Sequence, residues 1–189
     1  MKTKLRTALT FGGILHEKDY DLILDSYETV LLKPGMNFLS AGQVSDRIGF
    51  VEEGILRSYF ITEKGTEVTK YFIRANQFGV DLESYYENKV SEYNMQAVVP
   101  TCVHYITRSK WTDLLEKIPK LYIYTKSLTE ATLLNKIKDN EFLVYGTAKE
   151  KYLEFLKRYP DLALHVPLQD IASYLQITPQ SLSRIRKEI

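Results

Sequence analysis

The sequence predicts an α+β chain in which an N-terminal antiparallel β-roll is followed by one long helix and a C-terminal helix-turn-helix. Three observations carry this. Between Val30 and Ile106 short β-branched and aromatic runs alternate with turn residues about every ten positions, the spacing of a small sandwich or barrel. After Ser109 the apolar period becomes helical. The stretch Val166–Ile189 then divides into two short amphipathic helices around a break at Gln176-Ile177.

In chain order, residues 16–27 read as a short amphipathic helix, with His16, Glu17 and Asp19 ahead of Leu22, Ile23 and Leu24. Strand runs follow at Val30–Lys33, Phe38-Leu39, Ile48–Val51, Ile55–Ile61 and Val68–Ile73, punctuated by Pro34-Gly35, Gly42, Gly54, Gly65 and Gly79. The clearest hairpin joins Ile55–Ile61 to Glu67–Ile73 through a loop containing Lys64-Gly65. A last strand spans Met95–Ile106. Trp111, Leu114, Leu115 and Ile118 mark a helix that Pro119 ends.

A longer helix comes next. Leu121, Leu128, Asn135 and Phe142 recur every seven residues, with Tyr124, Ala131 and Tyr145 three residues after members of that series, so a stripe runs along one side. Such a stripe needs cover, either from the β domain or from its copy in a second subunit. Lys138 interrupts it. Gly146 breaks the helix, and Thr147-Ala148-Lys149-Glu150 has the form of a capping box opening the next one. Leu153, Phe155, Leu156 and Tyr159 give that helix an apolar face before Pro160. The expected division is residues 1–118 for the β-roll, 119–145 for the connecting helix and 146–189 for the helix-turn-helix.

Composition excludes several classes. At 189 residues and 22.0 kDa the chain can bury a sizeable core, and no apolar run approaches the ~18 residues that span a bilayer. No signal peptide is read at the N-terminus, and the single cysteine, Cys102, fits a reducing, cytoplasmic setting. It cannot alone hold an iron-sulfur cluster or a structural zinc. Net charge is +1, but residues 144–189 carry seven Lys/Arg against five Asp/Glu, leaving 18 against 19 for the rest. In the last helix Arg184, Arg186 and Lys187 face only Glu188, which concentrates affinity for phosphates there. A cupin-type enzyme would share a small β-barrel, but His16, His104 and His165 lie far apart with no His-x-His, and no nucleophile-base pair stands out. Catalysis is not expected, and no metal is.

The C-terminal segment carries the chemistry. Leu168, Ile171, Ala172 and Leu175 make one inward face, Leu182 and Ile185 the other, and Thr178 can cap the second helix with Pro179 in its first turn. Ala172 is small where the helices cross, and Ile177 is apolar where the turn plugs the core. This spacing braces the first helix across a DNA backbone and presents the second to the major groove. Gln180, Ser181, Ser183, Arg184 and Lys187 then face outward. Arg can bind guanine and Gln adenine in a bidentate way, each pair discriminating by about 1–3 kcal/mol.

The run Gln169-Asp170-Ile171-Ala172 through Thr178-Pro179-Gln180-Ser181-Leu182-Ser183-Arg184-Ile185 resembles, without a gap, the DNA-reading motif of the Crp/Fnr family of bacterial transcription regulators. With the β-roll and long helix, the resemblance covers roughly residues 25–189. It implies a double-stranded β-helix or jelly-roll of cyclic-nucleotide-binding type, a dimerisation helix carrying Leu121, Tyr124, Leu128, Ala131, Asn135 and Phe142, and a winged-helix-type helix-turn-helix. By carry-over, Gln169 and Thr178 resemble phosphate-contacting positions, and Pro179, Gln180 and Arg184 resemble positions facing bases. Pro179 departs from members with a long polar side chain there, and Gln176 stands where a glycine is common in the turn.

The resemblance also implies an effector pocket. Family members that bind cyclic AMP offer a Gly-Glu pair for the ribose and an Arg-Ser or Arg-Thr pair for the phosphate. The matching stretches are Phe78–Ser84, with Gly79, Asp81 and Leu82, and Val90–Asn94, with Ser91 and Glu92. Arginine is absent, and a cyclic phosphate beside Glu92 would be repelled by about 4 kcal/mol at ~4 Å, close to a thousandfold in affinity. Cyclic AMP is therefore not expected in the family's usual manner, and the effector is left open. Haem through His16 or His104 competes with plain packing of those histidines, and Tyr71, Tyr85, Tyr86 and Tyr93 either line an apolar pocket or pack. The implied partners are double-stranded DNA, a second copy of the chain and RNA polymerase, with no membrane. The alternative is a ligand-binding regulatory module whose C-terminal helices dock a protein partner.

Overall fold

Apolar residues on the facing sides of two sheets build the roll. The computed structural model describes residues 2–189, and of Asn140 only the backbone. Eight strands run β1 Glu28–Leu32, β2 Asn37–Leu39, β3 Arg47–Glu53, β4 Ile55–Ile61, β5 Glu67–Arg74, β6 Gln77–Gly79, β7 Asn94–Ala97 and β8 Thr101–Thr107. They form two four-stranded sheets in the orders β1-β8-β3-β6 and β2-β7-β4-β5, and every pairing is antiparallel. The residues facing inward, Leu32, Phe38, Leu39, Val51, Leu56, Ile73, Met95, Ala97 and Val103, fill the space between them. Gly54 turns β3 into β4 at φ +96°, and a Cβ there would lie 2.6 Å from the Pro100 carbonyl oxygen, so only glycine fits.

The expected last strand, Met95–Ile106, is two strands in different sheets. Pro100, which has no N–H to give a ladder, lies where the chain crosses between them. The 55–61/67–73 hairpin forms, with Ile55 opposite Arg74 and Ile61 opposite Glu67. Its register slips once: Ser58 pairs with Tyr71 and Tyr59 with Thr69, leaving Lys70 as the extra residue of a bulge.

The helices are α1 Thr3–Leu9, α2 Glu17–Ser26, α3 Leu82–Glu87, α4 Arg108–Lys117, α5 Lys120–Val144, α6 Ala148–Arg158, α7 Pro160–His165, α8 Leu168–Tyr174 and α9 Pro179–Lys187. α1 was not expected, although Leu5 and Leu9, both buried, have the i, i+4 spacing that should have signalled it. Pro160 ends α6 as expected and also opens α7. The Thr147 capping box forms in full, its hydroxyl accepting from the Glu150 N–H while the Glu150 carboxylate accepts from the Thr147 N–H. Gly146, at φ +124°, makes the preceding turn.

The seam assigned to α5 needs correction. Leu121 and Tyr124 are buried within their own chain, against Leu5, Leu9 and Ile23 of α1 and α2, and Leu128 packs on the same cluster. The Tyr124 hydroxyl donates to the Ala8 carbonyl at 3.1 Å. Phe142 packs at the other end against the helical cluster of α6–α9, Ala131 is half-buried and Asn135 is exposed. A seven-residue repeat marks a covered face without saying what covers it; here the cover comes from the same chain, from α1 and α2 together with Phe50 and Ile106 of the roll and Trp111, Leu114 and Ile118 at α4. Ile123, Leu134 and Ile137, at helical spacing on another side, stay exposed. Among the described residues no strand follows β8, and the C-terminal unit is described by α6–α9.

Candidate nucleic-acid interface

The last two helices take the expected shape for local reasons. The Thr178 hydroxyl accepts from the Ser181 N–H at 3.1 Å, and Pro179 occupies the first helical position. The turn before it closes through the Ile177 N–H on the Ala172 carbonyl, 3.0 Å. Gln176 sits at φ +57°, the left-handed conformation that explains why glycine is common there and gives Gln176 a small strain. Ala172, Leu175 and Leu182 are fully buried and Ile185 nearly so, which fixes α9 against α8 from behind.

That anchoring turns the opposite side of α9 to solvent. Thr178, Pro179, Gln180, Arg184 and Lys187 are exposed, Ser181 and Ser183 half-buried, and Gln169 at the start of α8 is exposed. Leu168, Pro179, Gln180, Ser183, Arg184 and Lys187 line an open groove of about 540 Å³. Of the residues assigned to base and phosphate contacts, Pro179, Gln180, Ser183, Arg184 and Lys187 share this groove, while Gln169, Thr178 and Ser181 are not among its lining residues. Arg184, Arg186 and Lys187 cluster at the C-terminal end of α9, where the helix dipole also favours cations.

Sequence reasoning missed how this unit is held. α8 lies on β5, the outermost strand of its sheet. The Ser173 hydroxyl accepts from the Thr69 N–H at 2.9 Å and donates to the Glu67 carbonyl at 3.3 Å, so one side chain caps two strand groups. Beneath it Arg57 of β4, with a side chain only 5% exposed, donates to Thr69 at 2.8 Å and Glu67 at 2.7 Å and pairs with Asp170 of α8 at 3.0 Å. Burial pushes the Asp170 carboxyl above its usual range in spite of Arg57. Phe72 and Tyr174 meet edge to face, and Arg74 pairs with Asp161 at 3.0 Å. A buried arginine opposite an aspartate a hundred residues away leaves no periodic signal in sequence.

The cassette residues are arranged differently from the expectation. Gly79 ends β6, where a Cβ would press to 2.8 Å on Ile73. Asp81 caps α3 and accepts from the buried Ser91 hydroxyl at 2.6 Å, so Ser91 is closed onto Asp81 and not held open for a ligand. Leu82 and Glu92 are exposed to solvent, whereas Asp81 and Ser91 are buried. His104 is buried between strands, its Nδ1 2.9 Å from the Thr29 hydroxyl and its Nε2 3.5 Å from Glu52, while His16 Nε2 lies 2.8 Å from Lys120 Nζ. Both have ordinary protein neighbours. Of the tyrosines, Tyr71 lies in the roll against Lys136 of α5, Tyr93 lies under Lys70, and Tyr85 and Tyr86 pack on each other.

Comparison with solved structures places this architecture. FixK2 from Bradyrhizobium japonicum superposes with a TM-score of 0.73 at 17% identity, over 86% of this chain and 83% of that one. A putative transcriptional regulator of the Crp/Fnr family from Eubacterium rectale gives 0.72 at 17%, over 96% and 87%. The c-di-GMP-responsive global regulator CLP of Xanthomonas campestris gives 0.71 at 12%, over 92% and 91%. No family sequence model and no curated protein sequence matches the chain. The chain has the fold of the Crp/Fnr-type regulators, a cyclic-nucleotide-binding-type roll joined by a long helix to a helix-turn-helix. No described helix is long and apolar enough to cross a membrane.

Proposed function

We propose that the chain is a sequence-specific DNA-binding transcription regulator of the Crp/Fnr type, acting in the cytoplasm as a homodimer. Residues 1–118 would serve as sensor, 119–145 as connector and 146–189 as the DNA-reading unit. The observation that carries this reading is the face of α9, where Gln180, Arg184 and Lys187 are exposed while Leu182 and Ile185 anchor the helix from within. Arg184 and Gln180 suit base edges, Gln169, Thr178 and Lys187 suit phosphates, and Pro179 faces bases without a hydrogen bond to offer. Regulators of this fold carry two such units, and the face that suits a second copy is Ile123, Leu134 and Ile137 of α5. Pairing there would set two α9 helices about 34 Å apart on a palindromic site. RNA polymerase would be the downstream partner.

Selection of bound DNA from a random pool, followed by mobility shift of the winning site at two salt concentrations, tests the proposal. Affinity should fall with salt by about one unit of log–log slope per phosphate neutralised. A C-terminal pair of helices that docks a protein instead would enrich no sequence and show little salt dependence.

A further inference from the structure

Leu168 has two environments. It packs against the helical cluster of α6–α9, yet it is only half-buried, where Ile171 and Ala172 of the same helix are closed, and it lines the open groove beside α9. Pro179, in the first helical position of α9, lines the same groove and is exposed. The other members of the lining, Gln180, Ser183, Arg184 and Lys187, all carry hydrogen-bonding or charged groups. Two apolar side chains from different helices therefore stand in a lining that is otherwise polar and cationic. In the helical pattern Leu168 belongs to the inward face of α8, so its access to the groove is visible only once α8 and α9 are docked.

The major groove of a duplex offers few groups that suit such a pair. Guanine, adenine and cytosine present acceptors and amino groups there, and neither Leu168 nor Pro179 has a side-chain donor or acceptor to meet them. Pro179 has no backbone N–H either. Pressing one of those bases against the pair would strip its polar edge of water without return. Thymine carries an apolar group on that edge, its 5-methyl, beside the O4 acceptor. Ser183 lies four residues beyond Pro179, on the same row of α9, where its hydroxyl can donate to O4 while the methyl meets the apolar pair.

We propose that Leu168 and Pro179 read one thymine of the DNA half-site through its 5-methyl group, with Ser183 on O4. This rests on the regulator reading above and adds to it a specificity residue, Leu168, from outside the recognition helix. Pro179 and Arg184 are five residues apart, about 7.5 Å of helix rise, so the thymine stands within about two base steps of the pair that Arg184 contacts.

The test uses the full chain and the duplex it selects from a random pool, with each thymine replaced in turn by deoxyuridine, which keeps the pairing and O4 and removes only the methyl. Competition binding should show a loss of about fourfold at one thymine, the value of one buried methyl, within about two base pairs of the position that Arg184→Ala relaxes. The loss should disappear in Pro179→Ser and shrink in Leu168→Ala. Because Leu168 also packs inside the unit, melting followed by circular dichroism checks that its variant is folded, and the exposed Pro179 decides the matter if it is not. Ser183→Ala should weaken the thymine and uracil duplexes alike and leave their ratio at about fourfold, since both bases keep O4. A selected site without a thymine there, equal affinity for the two duplexes, or a ratio that survives Pro179→Ser overturns the proposal and leaves the regulator reading standing. Failure to enrich any sequence removes the regulator reading, and this proposal with it.

Discussion

Replacing Arg57 with leucine should loosen the helix-turn-helix from the roll by a predictable amount. The guanidinium makes its contacts from a nearly closed position, and its three partners differ in what they lose. Glu67 is 46% exposed and can return to water, so its share is that of a surface pair, about 0–1 kcal/mol. Thr69 loses one buried hydrogen bond, about 1 kcal/mol. Asp170, 16% exposed, is left as a poorly solvated carboxylate without a counter-charge, for which about 2–3 kcal/mol is a fair discount from the 3–5 kcal/mol of a fully buried pair. The total, about 3–5 kcal/mol at pH 7, corresponds to a melting temperature lower by about 6–20 °C in a chain of this length. Two features distinguish this account from simple loss of packing. Because the Asp170 carboxyl already titrates above its usual range and would rise further without Arg57, the deficit should shrink as pH falls and Asp170 takes up a proton. In addition, Arg57→Leu, Asp170→Leu together should cost less than Arg57→Leu alone, since no bare charge is left. Calorimetric melting of the four proteins of this cycle at pH 7 and pH 5 measures both. Strict additivity, or a deficit independent of pH, would refute the electrostatic reasoning.

Three further outcomes follow from the geometry. Arg184→Ala should lose about 1–3 kcal/mol of discrimination at one base position, whereas Lys187→Ala should weaken all sequences alike and reduce the salt slope by about 1; competition binding with single-base variants of the selected site separates them. With the proposed pairing through α5, Ile137→Asp should turn a dimer into a monomer in sedimentation and weaken binding to a two-half-site duplex by about a hundredfold or more, with binding to a single half-site unchanged; a wild type that sediments as a monomer would remove the pairing. Burial, and secondarily Lys2, hold His104 below the usual histidine range against the opposing pull of Glu52. The unfolded chain therefore binds this proton first as pH falls, and the stability that neutral His104 contributes above about pH 6.5 is lost on acidification towards its lowered folded value. Urea titrations of wild type and His104→Gln over that range should show a shallower slope in the variant, and identical slopes would contradict the assignment.

Local grammar was the legible part of this protein. The 55–61/67–73 hairpin, the Thr147 box, the Pro119 boundary and the Thr178 cap are each written in a few adjacent residues, and each forms where expected. What adjacent residues cannot record is which distant surface a face meets. The Leu121/Leu128 stripe is apolar as expected, and its cover is built jointly by α1 and α2, which precede the roll, and by residues of the roll and α4. The strand assigned to 95–106 is continuous in hydrophobicity and interrupted only in hydrogen bonding, which Pro100 decides. At the candidate interface the outward set on α9 could be read from helical period. The Arg57–Asp170 pair depends on long-range docking, which has no period to read.

The position of β5 constrains how the helix-turn-helix is able to move. A strand at the margin of a sheet offers a row of bare amide groups to any extended segment that passes, and here Ser173 covers two of them. Full departure of α8 would open that margin to strand pairing between molecules, the first step of aggregation. Motion of α8 and α9 that avoids this exposure is thus confined to sliding and tilting along the margin, with the Ser173 seal kept in place.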